Sequence, residues 1–201
     1  MIRDAYNAAA TCFTDLVARV TVKQWEQPGL GVWSVRDLVG HTYRAFVTVE
    51  TYLQQSALHV DLERPVDYFL QAQAALADPA AVAARGREAG QALGPEPLPL
   101  VRETARRVLQ RIQESADTAL VKTPLGGMRL IDYLPTRIFE LVVHTLDLAA
   151  ALSVEVAVPE SSASVALHLL ADLAARQPGK AAPLLLAATG RGPLPGRYSV
   201  L

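Results

Sequence analysis

At 201 residues the chain has the length of one domain with a small appendage, enough to bury a core without disulfides. Apolar residues make up 51% and charged residues 19%, a globular rather than a disordered composition. Lys and Arg number 19 against 20 Asp and Glu and no stretch gathers like charges, which excludes the electrostatic footprint of nucleic-acid or anionic-membrane binding and leaves a small-molecule partner.

The N-terminal MIRDAYNAAATCF lacks the basic start and apolar run of a leader, and no apolar segment reaches the roughly 18 residues of a membrane span. A cytoplasmic location is expected. A first helix is predicted from Ile2 to Val20, with Ile2, Ala5, Tyr6, Ala9, Phe13, Leu16, Val17 and Val20 at helical spacing on one face. The single cysteine, Cys12, sits among Ala9, Phe13 and Leu16 and reads as a buried structural thiol. After the turn Pro28-Gly29-Leu30-Gly31, Ser34 is an N-cap and Asp37 its capping-box partner for a second helix through Leu38, Val39, Phe46, Val49 and Leu53.

Two shorter helices follow, one near Val66 to Leu76 and one capped by Asp78 with Pro79 at its first position. Their alanine content predicts a linker or lid outside the core. A third long helix is expected from Leu98 to Leu120, turning Val101, Ala105, Val108, Leu109, Ile112 and Ala116 inward. Arg102, Glu103, Arg106, Arg107, Arg111 and Glu114 face water on it, with i,i+4 pairing. A turn at Gly126-Gly127 leads into a fourth long helix from Leu130 to Leu152, which tolerates Pro135 only in or near its first turn. Past Pro159, a helix capped by Ser161 or Ser162 runs to Arg176. Leu184 to Ala188 has strand character, and the Gly- and Pro-rich stretch after it suggests a small hairpin.

The fourth helix carries the chemistry. Arg137, Glu140, His144 and Asp147 fall within an arc of roughly 80° on an otherwise apolar circumference, so the stripe faces a polar cavity rather than bulk water. Burying these groups requires that they pair with one another or with a metal. Glu140 and His144 project side by side from successive turns, and His41, early in the second helix, supplies a third ligand. Two histidines and a glutamate bind zinc with one position open, the arrangement of catalytic sites, and nickel, iron or manganese suit the same donors. On spacing alone, a buried Glu140–His144 salt bridge or hydrogen bond and a satisfied core His41 are the commoner explanation of these residues. Arg137 and Asp147 read either as an anchor for a substrate carboxylate and an acceptor orienting a ligand histidine, or as partners of each other or of groups on a neighbouring helix. Arg191, His59 and His168 read as surface residues, and Trp25 and Trp33 as packing at the bundle mouth.

The stretch Pro28-Gly-Leu-Gly-Val-Trp-Ser-Val-Arg-Asp-Leu-Val-Gly-His41, followed about a hundred residues later by Arg137-x-x-Glu140-x-x-x-His144-Thr-x-Asp147-Leu, resembles the DinB-like superfamily. Within it, the chain is most similar to the mycothiol-dependent maleylpyruvate isomerase branch. The likeness spans residues 1–155, and Ala188 to Pro195 resembles the ends of relatives more weakly. It implies a DinB-like four-helix bundle; with the pattern along the chain, the expected fold is mainly α, a bundle with short extra helices over 1–155 and then an extension at 156–201 with a small helix and a β-hairpin. It further implies a divalent ion, usually zinc, on His41, Glu140 and His144, and a low-molecular-weight thiol such as mycothiol bound as thiolate. One departure is that the characterised isomerases carry a fuller C-terminal α/β domain, whereas about forty residues follow Pro159 here. The resulting expectation is a monomeric or homodimeric thiol-using isomerase or S-transferase. A metal-dependent hydrolase at the same site and a non-catalytic ligand-binding bundle are the alternatives.

Overall fold

The computed structural model describes residues 1–76 and 78–201. Four long helices, α1 (Ile2–Val17), α2 (Val35–Gln54), α5 (Pro97–Glu114) and α6 (Leu130–Leu152), form a closed ring in which α1 and α2 each pack on both α5 and α6. Their apolar faces meet in one core, where Tyr6, Phe13, Phe46, Leu38, Ile112, Leu134, Ile138 and Leu141 are fully buried. The Tyr6 hydroxyl donates to the Ala45 carbonyl at 3.0 Å, so even the polar end of this large ring is satisfied.

The expected bounds of α2 and α6 hold. Ser34 accepts the Asp37 N–H at 3.2 Å while Asp37 accepts the Ser34 N–H at 3.1 Å, a reciprocal cap that fixes where α2 begins. Pro135, however, is the sixth residue of α6, beyond the first turn, so the Ile131 carbonyl loses its usual intrahelical donor. The third long helix ends earlier than its apolar period suggests, at Glu114, because Ser115 turns extended and caps Arg111 with its hydroxyl. Residues Leu120–Thr123 (β1) then pair antiparallel with Gly126–Arg129 (β2), and this hairpin feeds directly into α6.

The middle helices α3 (Pro65–Leu76) and α4 (Pro79–Ala92) correct the expectation of a linker or lid. Val66, Tyr68 and Phe69 of α3 are buried, and α4 lies close along α2. Glycines permit that approach: a Cβ on Gly40 would fall 2.3 Å from the Gly90 nitrogen, and one on Gly86 would fall 2.4 Å from the Trp33 ring. Alanine- and glycine-rich helices can pack closely through backbone contact, without the large side chains by which sequence patterns mark a core.

In the C-terminal region, α7 (Glu160–Arg176) packs on α1, α3 and α6. Its N-cap is Pro159, while Ser162, expected as a cap, is buried and donates to the Ala5 carbonyl at 2.8 Å. Leu184 to Ala188, expected as a strand, belongs to helix α8 (Ala181–Ala188); the hairpin lies at 120–129 instead. A short apolar run reads equally as strand or helix by periodicity, and the Lys180 carbonyl accepting the Leu184 N–H starts a helical turn here. Cys12 is half-buried rather than buried, with its thiol 3.7 Å from the Ala157 carbonyl. Among the described residues no helix is long and apolar enough to cross a membrane.

Candidate metal centre

The second turn of α2 and the middle of α6 place three side chains at one point. Glu140 Oε2 lies 3.3 Å from His144 Nε2 and 3.7 Å from His41 Nε2, and the three potential ligand atoms all lie within 4.8 Å of one another. Neighbouring ligands of a tetrahedral zinc stand about 3.3 Å apart; the two spacings to Glu140 lie close to that value, and the two histidines would draw together on a bound ion. The side chains are 15–21% exposed, which shields the charges while leaving a route for a small molecule.

The two imidazoles are held differently. His144 Nδ1 meets Asp147 Oδ2 at 2.9 Å, which places the Nδ1 proton toward Asp147 and turns Nε2 toward Glu140, where it carries a proton in the charged ring and would offer its lone pair to a metal once that proton is displaced. Burial opposes charge on His144, but Asp147 and Glu140 together outweigh it and raise its pKa to about 9. Glu140 stays ionised well below the usual carboxyl range: burial works against this, and His144, His41 and Arg137 overcome it. The cluster therefore attracts a positive charge between its carboxylates, whether a proton or a metal ion.

His41 is kept neutral chiefly by burial, with Glu140 opposing, which leaves a lone pair for a metal. Its Nδ1 is buried without a hydrogen-bond partner. Stacking fixes this ring instead, with the Trp33 indole 4.5 Å away and His144 edge-on at 4.8 Å. Trp33 in turn donates from Nε1 to the Ala83 carbonyl at 3.0 Å and sits against Gly86, so α4 acts on the site through this indole.

Of the other expected site residues, Arg137 does not pair with Asp147. Its guanidinium lies 5.2 Å from the Tyr133 ring and 5.4 Å from the Tyr68 ring, and its Nε donates to Thr136 Oγ1 at 3.0 Å. Arg191 lies in an exposed turn, His59 pairs with Asp61 at 3.0 Å on the surface, and His168 is exposed on α7. Sequence reasoning missed Trp33 as a support for His41, and also the aromatic surround of Arg137. Tyr133 stands four residues before Arg137, so helical spacing offered a signal for that contact.

A helical bundle with a His-Glu-His cluster between two of its antiparallel helices defines a class of bundle proteins able to hold one metal ion. The family model described as the mycothiol maleylpyruvate isomerase N-terminal domain matches residues 6–149, and the chain belongs to that family. No curated protein and no solved structure matches it.

Proposed function

We propose that the protein is a metal-dependent enzyme that uses mycothiol or a similar low-molecular-weight thiol for isomerisation of, or S-transfer to, a small electrophilic substrate. The observation that carries this reading is the convergence of His41, Glu140 and His144, with Asp147 orienting one ligand imidazole. Membership in a family described by a mycothiol enzyme supports the choice of thiol. A divalent ion held there, most simply zinc, favours the thiolate form of a thiol at neutral pH.

The chain's own residues do the positioning. Asp147 holds the His144 tautomer, Trp33 fixes the plane of His41, and Glu140 contributes the one anionic donor. The reading treats residues 1–155 as the metal-binding unit and 156–201 as an extension, in a cytoplasmic protein that works as a monomer or homodimer.

The test is metal analysis followed by spectroscopy. Purified protein should carry ~1 equivalent of divalent metal, and His41→Ala and His144→Ala should each lose most of it. With cobalt in place of zinc, millimolar mycothiol should produce a sulfur-to-metal charge-transfer band. Metal retained in full by both variants would overturn the ligand set. No band, together with esterase or amidase turnover, would assign a hydrolase. Product analysis then separates isomerisation, which returns free thiol, from S-transfer, which consumes it.

A further inference from the structure

The chain-wide balance of charge, which speaks against an anionic membrane as partner, does not hold locally. Asp and Glu number 20, and all of them lie at or before Asp172. Arg176, Lys180, Arg191 and Arg197 follow, so residues 173–201 carry four cations and no acidic side chain. Arg176, Arg191 and Arg197 are exposed and Lys180 is half-buried, and none of them makes an ion pair among the described residues.

The same stretch holds α8, Ala-Ala-Pro-Leu-Leu-Leu-Ala-Ala, which is apolar on every side. A helix of eight residues is too short to persist in water by itself and depends on burying a face. None of the α8 residues is buried: Leu184 packs partly against the core, while Leu185 is 64% and Leu186 48% exposed. A helix apolar all round belongs in an apolar medium.

The cations bracket this helix. Lys180 is its N-cap, with Nζ 5.2 Å from the centroid of the Tyr198 ring, and the Tyr198 hydroxyl donates to the Lys180 carbonyl at 2.8 Å. That contact brings Arg197, the neighbour of Tyr198, to the same end, where Arg176 closes α7 four residues before Lys180. At the other end the Arg191 N–H donates to the Leu186 carbonyl at 2.7 Å and folds the chain back on the last turn.

A second copy docked on α8 would set four cations against four, and facing like charges oppose association. A neutral apolar groove would leave the cations unanswered. A bilayer with anionic headgroups answers both features at once. We propose that α8 docks the protein on an anionic lipid surface, with Leu185 and Leu186 entering the acyl boundary and Arg176, Lys180, Arg191 and Arg197 meeting the headgroups. The contact is peripheral, since eight residues of helix rise about 12 Å against a hydrocarbon core of about 30 Å. One short apolar element with a few cations gives reversible, salt-sensitive binding. Nothing in this docking depends on the metal centre.

The test is sedimentation of the full chain with vesicles of phosphatidylcholine alone and of phosphatidylcholine mixed with phosphatidylglycerol, with light scattering to follow the oligomeric state. The mixed vesicles should bind roughly tenfold more tightly or better, and about 1 M salt should release the protein. Leu185→Asp, at an exposed position, should lower the affinity roughly tenfold or more, and Arg191→Gln about fivefold, with the melting temperature of each unchanged. Val22→Asp, at an exposed apolar residue past the end of α1, should bind like wild type. No pelleting with the mixed vesicles, equal binding to both kinds, or wild-type affinity in both Leu185→Asp and Arg191→Gln would overturn the docking. So would an equal loss in Val22→Asp. A dimer that Leu185→Asp separates, without vesicle binding, would overturn it and assign α8 to a second copy. A monomer that ignores the vesicles would overturn it in favour of a protein partner.

Discussion

Two helices of the bundle carry charged stripes, and they use them in opposite ways. On α5, Arg106 donates twice to Glu103 one turn away, and Arg107 reaches across to Glu50 of α2 at 2.6 Å with Arg111 beside it at 3.3 Å. These charges answer one another at the surface. On α6, Glu140 and His144 face His41 across the helix pair, and Arg137 keeps donors unused inside an aromatic cage. Spare bonding capacity under partial burial is what separates a site from a surface. The expected i,i+4 ladder on α5 is accordingly only part of its pairing, because the interhelical contact with Glu50 takes two of its arginines.

Stripping the metal should draw the comparison most sharply. An ion that binds only the folded chain stabilises it by mass action, about 4 kcal/mol at a thousandfold excess over its dissociation constant. Chelator should therefore lower the melting temperature of the wild-type chain by many degrees and leave His144→Ala unmoved. An equal response of the two proteins would detach the α6 stripe from metal binding. A smaller step replaces Asp147 with Asn, which keeps the shape but removes the charge behind His144. Metal affinity should fall by about 10- to 100-fold, roughly 1.4–2.7 kcal/mol, in competition with a metal-binding dye. Unchanged affinity would mean that the His144–Asp147 contact does no more than hold the side chain.

How much of this was legible follows from which signals a single helix can carry. Ser34 and Asp37 announce the start of α2 because a capping box is local, and α6 reads through because polar residues stand out on an apolar helix. The triad needed only two such helices to be antiparallel neighbours. The cage around Arg137 was not legible, since Tyr52, Tyr68 and Tyr133 come from three elements and meet only after α3 docks. Nor was the place of α4: Gly86 and Gly90 give no apolar period, yet they let α4 approach Trp33 and α2. The α8 segment failed for a third reason, because the five apolar residues from Leu184 to Ala188 are too few for a period of two and a period of 3.6 to be told apart.

The smallest effects belong to the α5 stripe, and two of its partners should behave differently from each other. Glu50 is largely covered and accepts two hydrogen bonds from Arg107, and this contact chiefly, with Arg111 adding to it, holds its carboxyl below the ordinary value of 4.5. A carboxylate whose pKa is depressed by folding stabilises the protein above its unfolded value and loses that contribution as the pH falls through its folded value. Glu50→Gln should therefore cost about 1 kcal/mol near neutrality, and the gap from wild type should close as the pH drops below 4.5. Glu103 also pairs with Arg106, but at the open surface, where water and salt screen the attraction and two long side chains lose freedom in forming it. Glu103→Gln should leave the melting temperature within error of wild type at every pH. Matched losses in the two variants would mean that the α5 charges act as one network rather than as a covered interhelical pair beside a screened one. A loss confined to Glu50→Gln, fading in acid, would place the stripe's stabilising contact between α2 and α5.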